Sequence, residues 1–331
     1  EQAEGEIAAV NMVVGASFAG VRAMTATSGG GFSLMTEGLG LAAITETPLV
    51  IINAQRPGPA TGLPTRTAQG DLQFVIHASQ DEFPRFVIAP RNVNEGFDVV
   101  VRAFYLAEKY QVPVIILVDQ YFNDSLFIAT EALTVPDQIE RFLTTDEDMD
   151  DPPAYKRFAL TESGVSPRAV PCRGKALVTA TANEHSADGH ISEAIADRNS
   201  MVNKRMKKID AMRDEMNPPV QYFGDAKTLL VGWGSIDGTI REAVDRLRKD
   251  DFDVGALVFS DLWPFPEAAV QEALSRCKRF LTVELNTSSQ LGWLIREQTG
   301  LKFDRSIVKY DGRPFMPNDI VAEVKKIMGE S

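Results

Sequence analysis

Cysteine is nearly absent: Cys172 and Cys277, 105 positions apart, are the only two in 331 residues. Two thiols cannot supply a four-thiolate iron–sulfur cluster or a structural zinc site from this chain alone. So sparse a complement suits a reduced, intracellular, cytoplasmic compartment. Long apolar runs are missing too. Nothing approaches the roughly 18 consecutive apolar residues that a membrane-spanning helix needs, and no basic-then-apolar leader is visible. Positive charge is in deficit, with 34 Lys and Arg against 46 Asp and Glu, a net charge of −12. That balance argues against a nucleic-acid or anionic-membrane surface and would suit a basic partner. An initial Met is lacking as well, and Glu1 leads almost at once into a helical pattern, so a missing beginning is expected.

What remains is ordinary globular material of a length that suits two domains. Apolar residues at Ile7, Val10, Val14, Phe18 and Val21 predict a helix over Glu6 to Val21, with a small-residue face at Gly15, Ala16, Ala19 and Gly20. "AMTATSGGG" reads as a strand entering a glycine turn, Phe32 to Ile44 as a helix, and "TPLVIIN" as a buried strand. "RFVIAP" and "VPVIILVD" are further strands flanking a helix over Glu95 to Tyr110. Periodicity fades between about 140 and 221. It then resumes as strands "KTLLVGWGS", "VGALVFS" and "RFLTVELN" alternating with helices. Alternation of this kind means α/β units with doubly wound, mostly parallel sheets.

Three stretches invite chemistry. "NAQRPGPATGLPTRTAQGD", Asn53 to Asp71, places three prolines, three glycines and two arginines directly after an apolar strand. Prolines fix φ and glycines permit positive φ, so this loop loses little entropy on ordering. It could be a rigid turn and nothing more. Alternatively, the rigidity pre-positions Arg56 and Thr65 at the carboxyl end of a parallel strand, where α/β sheets bind ligands and where arginine's planar fork matches a carboxylate. "GWGSIDG" imitates a dinucleotide fingerprint but has Asp237 where its third glycine belongs, which disfavours a phosphate there. "EHSADGH" gathers Glu184, His185, Asp188 and His190 without a known metal-ligand spacing, so a structural turn is expected and no metal ligand is assigned. Glu6, finally, either complements its helix N-terminus or is a carboxylate held at a buried interface for proton chemistry.

The run "EGEIAAVNMVVGASFAG" through "NAQRPGPATGLPTRTAQGDL", continued by "YKRFALTESGVSPRAVP", "KRMKKID", "LWPFP", "VELNTSSQLGWLIR" and "KYDGRPF", resembles the alpha subunits of 2-oxoacid:ferredoxin oxidoreductases, most closely the 2-oxoglutarate type. The resemblance implies a thiamine-diphosphate enzyme. Residues 1–140 would form a pyrimidine-binding domain lacking its N-terminal part, 141–220 a connector, and 221–331 a transketolase C-terminal-like domain. A beta subunit would share the thiamine diphosphate, carry Mg2+ and a [4Fe-4S] cluster, and assemble with this chain as (αβ)2. Implied reactants are a 2-oxo acid, coenzyme A and ferredoxin. By the same resemblance Glu6 is the carboxylate that hydrogen-bonds the aminopyrimidine, Ser28, Gly29 and Gly31 form the turn near the cofactor, and Arg56 and Thr65 contact the oxoacid. Ala60 stands where the family commonly has serine and Gly30 where it has proline. The family's first strand and "YPITP" loop would precede Glu6. Relatives acting on pyruvate or branched 2-oxo acids, or a scaffold subunit without turnover, are the alternatives.

Overall fold

The chain is described from a computed structural model covering residues 1–126, 128 and 132–329. Helix α1 (Glu6–Phe18) buries Val10, Val13 and Val14 and leads into strand β1 (Met24–Ser28). It stops short of Val21 because Gly20 turns at φ +87°, where a Cβ would strike Val170. The predicted helix over Phe32 to Ile44 is two helices, α2 (Gly29–Leu34) and α3 (Thr36–Ile44), and the expected glycine turn is the first turn of α2. Close approach to α1 is made at Gly38, where a Cβ would lie 2.5 Å from Val10 Cγ1, whereas Gly15 faces open space.

Strand β2 (Leu49–Gln55) opens the proline-rich loop, after which come α4 (Leu72–His77), β3 (Phe86–Ile88), α5 (Val93–Tyr110), β4 (Pro113–Asp119) and α6 (Gln120–Asp124). Asn92 caps α5 by accepting from the Glu95 N–H, satisfying one of the orphan amides of its first turn. Helix α7 (Ile195–Asp214) follows the irregular segment, then β5 (Val220–Tyr222), β6 (Thr228–Trp233), α8 (Asp237–Lys249), β7 (Val254–Phe259) and β8 (Asp261–Trp263). Helix α9 (Glu267–Ser275), β9 (Arg279–Glu284), α10 (Gln290–Thr299), β10 (Arg305–Val308) and α11 (Pro317–Met328) complete the chain.

Among the described residues two five-stranded sheets result, ordered β1-β2-β4-β3-β8 and β10-β9-β6-β7-β5. Strands β1 to β4 run parallel to one another, as do β10, β9, β6 and β7, while β8 and β5 are antiparallel edges. All seven residues of β4 are buried, as a central strand covered on both faces requires. Strand β8, from the second half of the sequence, adds to the first sheet, and one apolar cluster runs from Val10 and Ile51 through Trp233 to Leu294. The two halves therefore share a core. Among the described residues no helix is long and apolar enough to cross a membrane.

Candidate active site

Strands β1, β2 and β4 end level with one another: Ser28 pairs with Ala54, and Gln55 with Asp119. Their carboxyl ends, with the loop after β2, enclose a cleft of about 360 Å³ lined by Ser28, Gln55, Arg56, Thr65, Gln120 and Asn123 among others. Carboxyl ends of neighbouring parallel strands are where such sheets bind ligands. Three of the sequence-predicted residues, Ser28, Arg56 and Thr65, thus meet in one cleft.

The loop is shaped as its composition predicts. The Leu63 N–H donates to Pro57 O at 3.0 Å, closing a tight turn. Gly62 has φ +50°, and a Cβ there would fall 1.8 Å from Pro57 O, so only glycine fits. Arg56 is half-buried, and its Nε is buried without a hydrogen-bond partner among the described residues. A buried, unpaired donor costs free energy, and it sets Arg56 apart from the paired guanidiniums Arg22, Arg91 and Arg157.

The remaining predicted residues sit behind Ser28. Glu6, half-buried in the first turn of α1, accepts a hydrogen bond from Thr27 Oγ1 at 3.3 Å. Gly31 lies against this pair: a Cβ there would come 1.9 Å from Thr27 Oγ1 and 2.5 Å from Glu6 Oε1. A Cβ on Gly29 would come 2.2 Å from Asp71 Oδ2. Gly29 and Gly31 therefore keep α2 close to two carboxylates, and Ser28 joins this cradle to the Arg56 cleft. Glu6 is thus a half-buried carboxylate oriented by one hydroxyl donor, with Gly31 packed directly against it.

Asp71 was not among the sequence-level candidates. Burial pushes its carboxyl above the usual range, against a hydrogen bond from Asn53 Nδ2 at 3.1 Å. Its N–H donates to Gln55 Oε1 at 3.0 Å, tying the end of the loop back to β2. Asp119, at the end of β4, is also pushed up by burial while accepting from the Ser235 hydroxyl and from the Phe122 N–H. Thr27, and Asn53 and Asp71 at the two ends of the proline-rich stretch, have no side-chain signature of their own; their contacts become visible only when the strand ends are aligned.

The other motifs are structural. In "GWGSIDG", Gly234 takes φ +61° and faces Ala89 and Gln69, and Asp237 pairs with Tyr222. In "EHSADGH", His185 is fully buried, stacks on Phe158 at 3.9 Å between ring centroids, and bonds Ser186 O and Ile44 O. Glu184 pairs with Arg198 and Arg205. Among the described residues no group of three or more His, Cys, Asp and Glu side chains could hold a metal ion.

Residues 1–204 match the family described as "Pyruvate flavodoxin/ferredoxin oxidoreductase, thiamine diP-bdg", and 226–320 match "Pyruvate:ferredoxin oxidoreductase core domain II". A 2-oxoacid:ferredoxin oxidoreductase 1, subunit alpha, of Sulfurisphaera tokodaii is 42% identical over 99% of this chain and 52% of its own length. The 2-oxoglutarate synthase subunit KorA of Methanothermobacter thermautotrophicus is 33% identical over 98% of this chain and 86% of its own. Among solved structures, a 2-oxoglutarate:ferredoxin oxidoreductase from Magnetococcus marinus with 2-oxoglutarate, coenzyme A and succinyl-CoA bound superposes with a TM-score of 0.89 at 36% identity. The superposition covers 98% of this chain and 56% of that one. The chain spans about half the length of the curated relatives it matches first. A split-gene transketolase shares the fold at 13% identity and a TM-score of 0.54. With a thiamine-diphosphate-type α/β fold and these relatives, the chain belongs to the 2-oxoacid:ferredoxin oxidoreductase family, on the side of its alpha subunits.

Proposed function

We propose that this chain is the alpha-subunit core of a 2-oxoglutarate:ferredoxin oxidoreductase, which converts 2-oxoglutarate and coenzyme A to succinyl-CoA and carbon dioxide while reducing ferredoxin. The observation that carries the reading is the junction at Ser28, where the Glu6–Thr27–Gly31 cradle meets the cleft holding Arg56 and Thr65.

Thiamine diphosphate, when bound, supplies the nucleophilic carbon and the electron sink that decarboxylating a 2-oxo acid requires. Glu6 would hold a proton between its carboxyl and a ring nitrogen, with the Thr27 hydroxyl fixing the carboxyl's orientation. Gly31 leaves the room that contact needs. Arg56 binds the 1-carboxylate of the oxoacid through its guanidinium at the cleft wall, and the Thr65 hydroxyl orients the same end. Because the loop is already shaped by Gly62 and Pro57, little ordering accompanies capture.

A partner beta subunit sharing the thiamine diphosphate and carrying Mg2+ and a [4Fe-4S] cluster, assembled as (αβ)2 in the cytoplasm, completes the proposal. Arg56 serves any 2-oxo carboxylate, so pyruvate or branched 2-oxo acids are the second reading. The test is co-purification with the partner, followed by coenzyme-A-dependent reduction of ferredoxin or a viologen dye on several 2-oxo acids. Highest kcat/KM on 2-oxoglutarate is expected. A preference for pyruvate would move the assignment to the second reading, and no turnover on any 2-oxo acid would remove it.

A further inference from the structure

Every residue lining the cleft comes from the unit of the first sheet, yet the loop that forms its rim is fastened to the second. The fastening centres on Gln69, only 1% exposed, with the neighbouring Gly70 carbonyl accepting from Gln290 Nε2 at 2.7 Å. The Gln69 Nε2 donates to Trp233 O at 2.7 Å, at the end of β6, and its Oε1 accepts from the Leu285 N–H at 3.2 Å, just after β9. Its own N–H donates to Leu285 O at 2.8 Å, and its carbonyl accepts from Asn286 Nδ2 at 2.9 Å. One residue thus uses its backbone donor and acceptor and both ends of its amide on two strand ends of the other sheet. Only a side chain that donates and accepts at once can do this; a carboxylate at the same place would face Trp233 O with a second acceptor.

Two residues on, the chain is held from the opposite side. The Asp71 N–H binds Gln55 Oε1, and Gln55 is the neighbour of Arg56. The segment from Arg56 to Thr65 is therefore framed between a clamp on β2 and a clamp on β6 and β9. The turn around Gly312 adds a third touch, since a Cβ there would come 3.0 Å from Leu63 Cδ1 and 3.0 Å from Arg66 Cβ.

We propose that Gln69 is a positioning residue for the oxoacid: through it the strand ends of the second sheet set the height of the Arg56–Thr65 loop over the cleft. The inference rests on the reading of Arg56 and Thr65 as the oxoacid site. It gives the second α/β unit a task in substrate capture although it contributes no residue to the cleft lining.

The test uses the enzyme assembled with its partner and the variants Gln69→Ala and Gln69→Met, with Arg102→Ala as a comparison. Arg102 bonds Asp261 on β8, the edge of the first sheet, so its loss removes a tie between distant parts of the sequence that lies away from the loop. Moving Arg56 off the oxoacid forfeits its charge-assisted hydrogen bonds, so KM for the oxoacid should rise about ten- to a hundredfold in both Gln69 variants. Thiamine diphosphate affinity and the KM of Arg102→Ala should stay at wild-type values. Unchanged KM in the Gln69 variants, or an equal rise in Arg102→Ala, would overturn the proposal. If Gln69→Ala does not assemble, Gln69→Met decides, since it keeps both backbone bonds and the side-chain volume and buries no charge. Amide hydrogen exchange of residues 57–66 in the assembled enzyme, without thiamine diphosphate or oxoacid, separates this inference from the functional reading. Faster exchange in Gln69→Ala than in wild type supports the clamp whatever the substrate proves to be, and equal exchange refutes it.

Discussion

Replacing Glu46 should cost more stability than any other single polar substitution in the buried linkage between α3 and α7. Glu46 is 1% exposed and receives the ammonium groups of Lys204 and Lys208, each 2.5 Å away; both lysines are themselves nearly inaccessible. The Arg157 guanidinium donates to Glu46 O at 2.6 Å. One carboxylate thus stands among three cations. Burial alone would push the Glu46 carboxyl up, but Lys208, Lys204 and Arg157 together outweigh it and hold the carboxyl well below its usual range. At 2.5 Å and an effective dielectric of about 20, each contact is worth roughly 6–7 kcal/mol before desolvation is subtracted. Glu46→Gln leaves the cations without a counter-charge, and breaking a buried pair in this way costs about 3–5 kcal/mol. Lys204→Met should cost far less, because burial already pushes the Lys204 ammonium down to about 7 and two cations remain for Glu46.

The pH dependence has a definite sign. The unfolded chain holds a proton on Lys204 up to about pH 10.4, while the folded chain releases it near 7, so stability rises between these values. The Glu46 contribution is present above the unfolded carboxylate pKa of about 4.3 and is lost as pH falls below it. Urea denaturation of wild type and both variants between pH 4 and 9 is the assay. A Lys204→Met loss equal to or greater than that of Glu46→Gln would refute the charge accounting.

Two further outcomes follow from the site. Gly31→Ala would place a methyl 1.9 Å from Thr27 Oγ1 and 2.5 Å from Glu6 Oε1. Glu6 must then move, and calorimetry should show at least about a tenfold loss of thiamine diphosphate affinity, since contacts of this kind tolerate little displacement. Arg56→Ala removes charge-assisted hydrogen bonds worth about 1.5–3 kcal/mol each, so KM for the 2-oxo acid should rise about ten- to a hundredfold. Arg56→Lys should recover only part of this, because an ammonium lacks the planar fork.

The long apolar strands were legible because burial on both faces leaves a continuous signal: "LVIINAQ", "PVIILVD" and "VGALVF" are β2, β4 and β7. Strands β5, β8 and β10, of three or four residues, give no such run and are held by their neighbours. That β8 joins the first sheet is a tertiary fact with no local trace. The shape of the loop and the place of Glu6 at a helix start were legible because glycine, proline and helix starts have local conformational consequences, whereas the role of Glu6 came only from the family resemblance. Gln69 and Asp71 were not, since each matters through partners on other strands or loops. That His185 belongs to a structural turn fits its lack of ligand spacing, but sequence cannot show that its ring nitrogens face Ile44 O and Ser186 O, or that Phe158 covers it.

The central claim is that Glu6 does proton chemistry on thiamine diphosphate, and Glu6→Gln in the assembled enzyme tests it most directly. A positioned acid–base group contributes about 10²–10⁴-fold, so 2-oxo-acid-dependent reduction of a viologen dye should fall by at least about a hundredfold on every substrate. Rates close to wild type in that variant would contradict the assignment of the cofactor site.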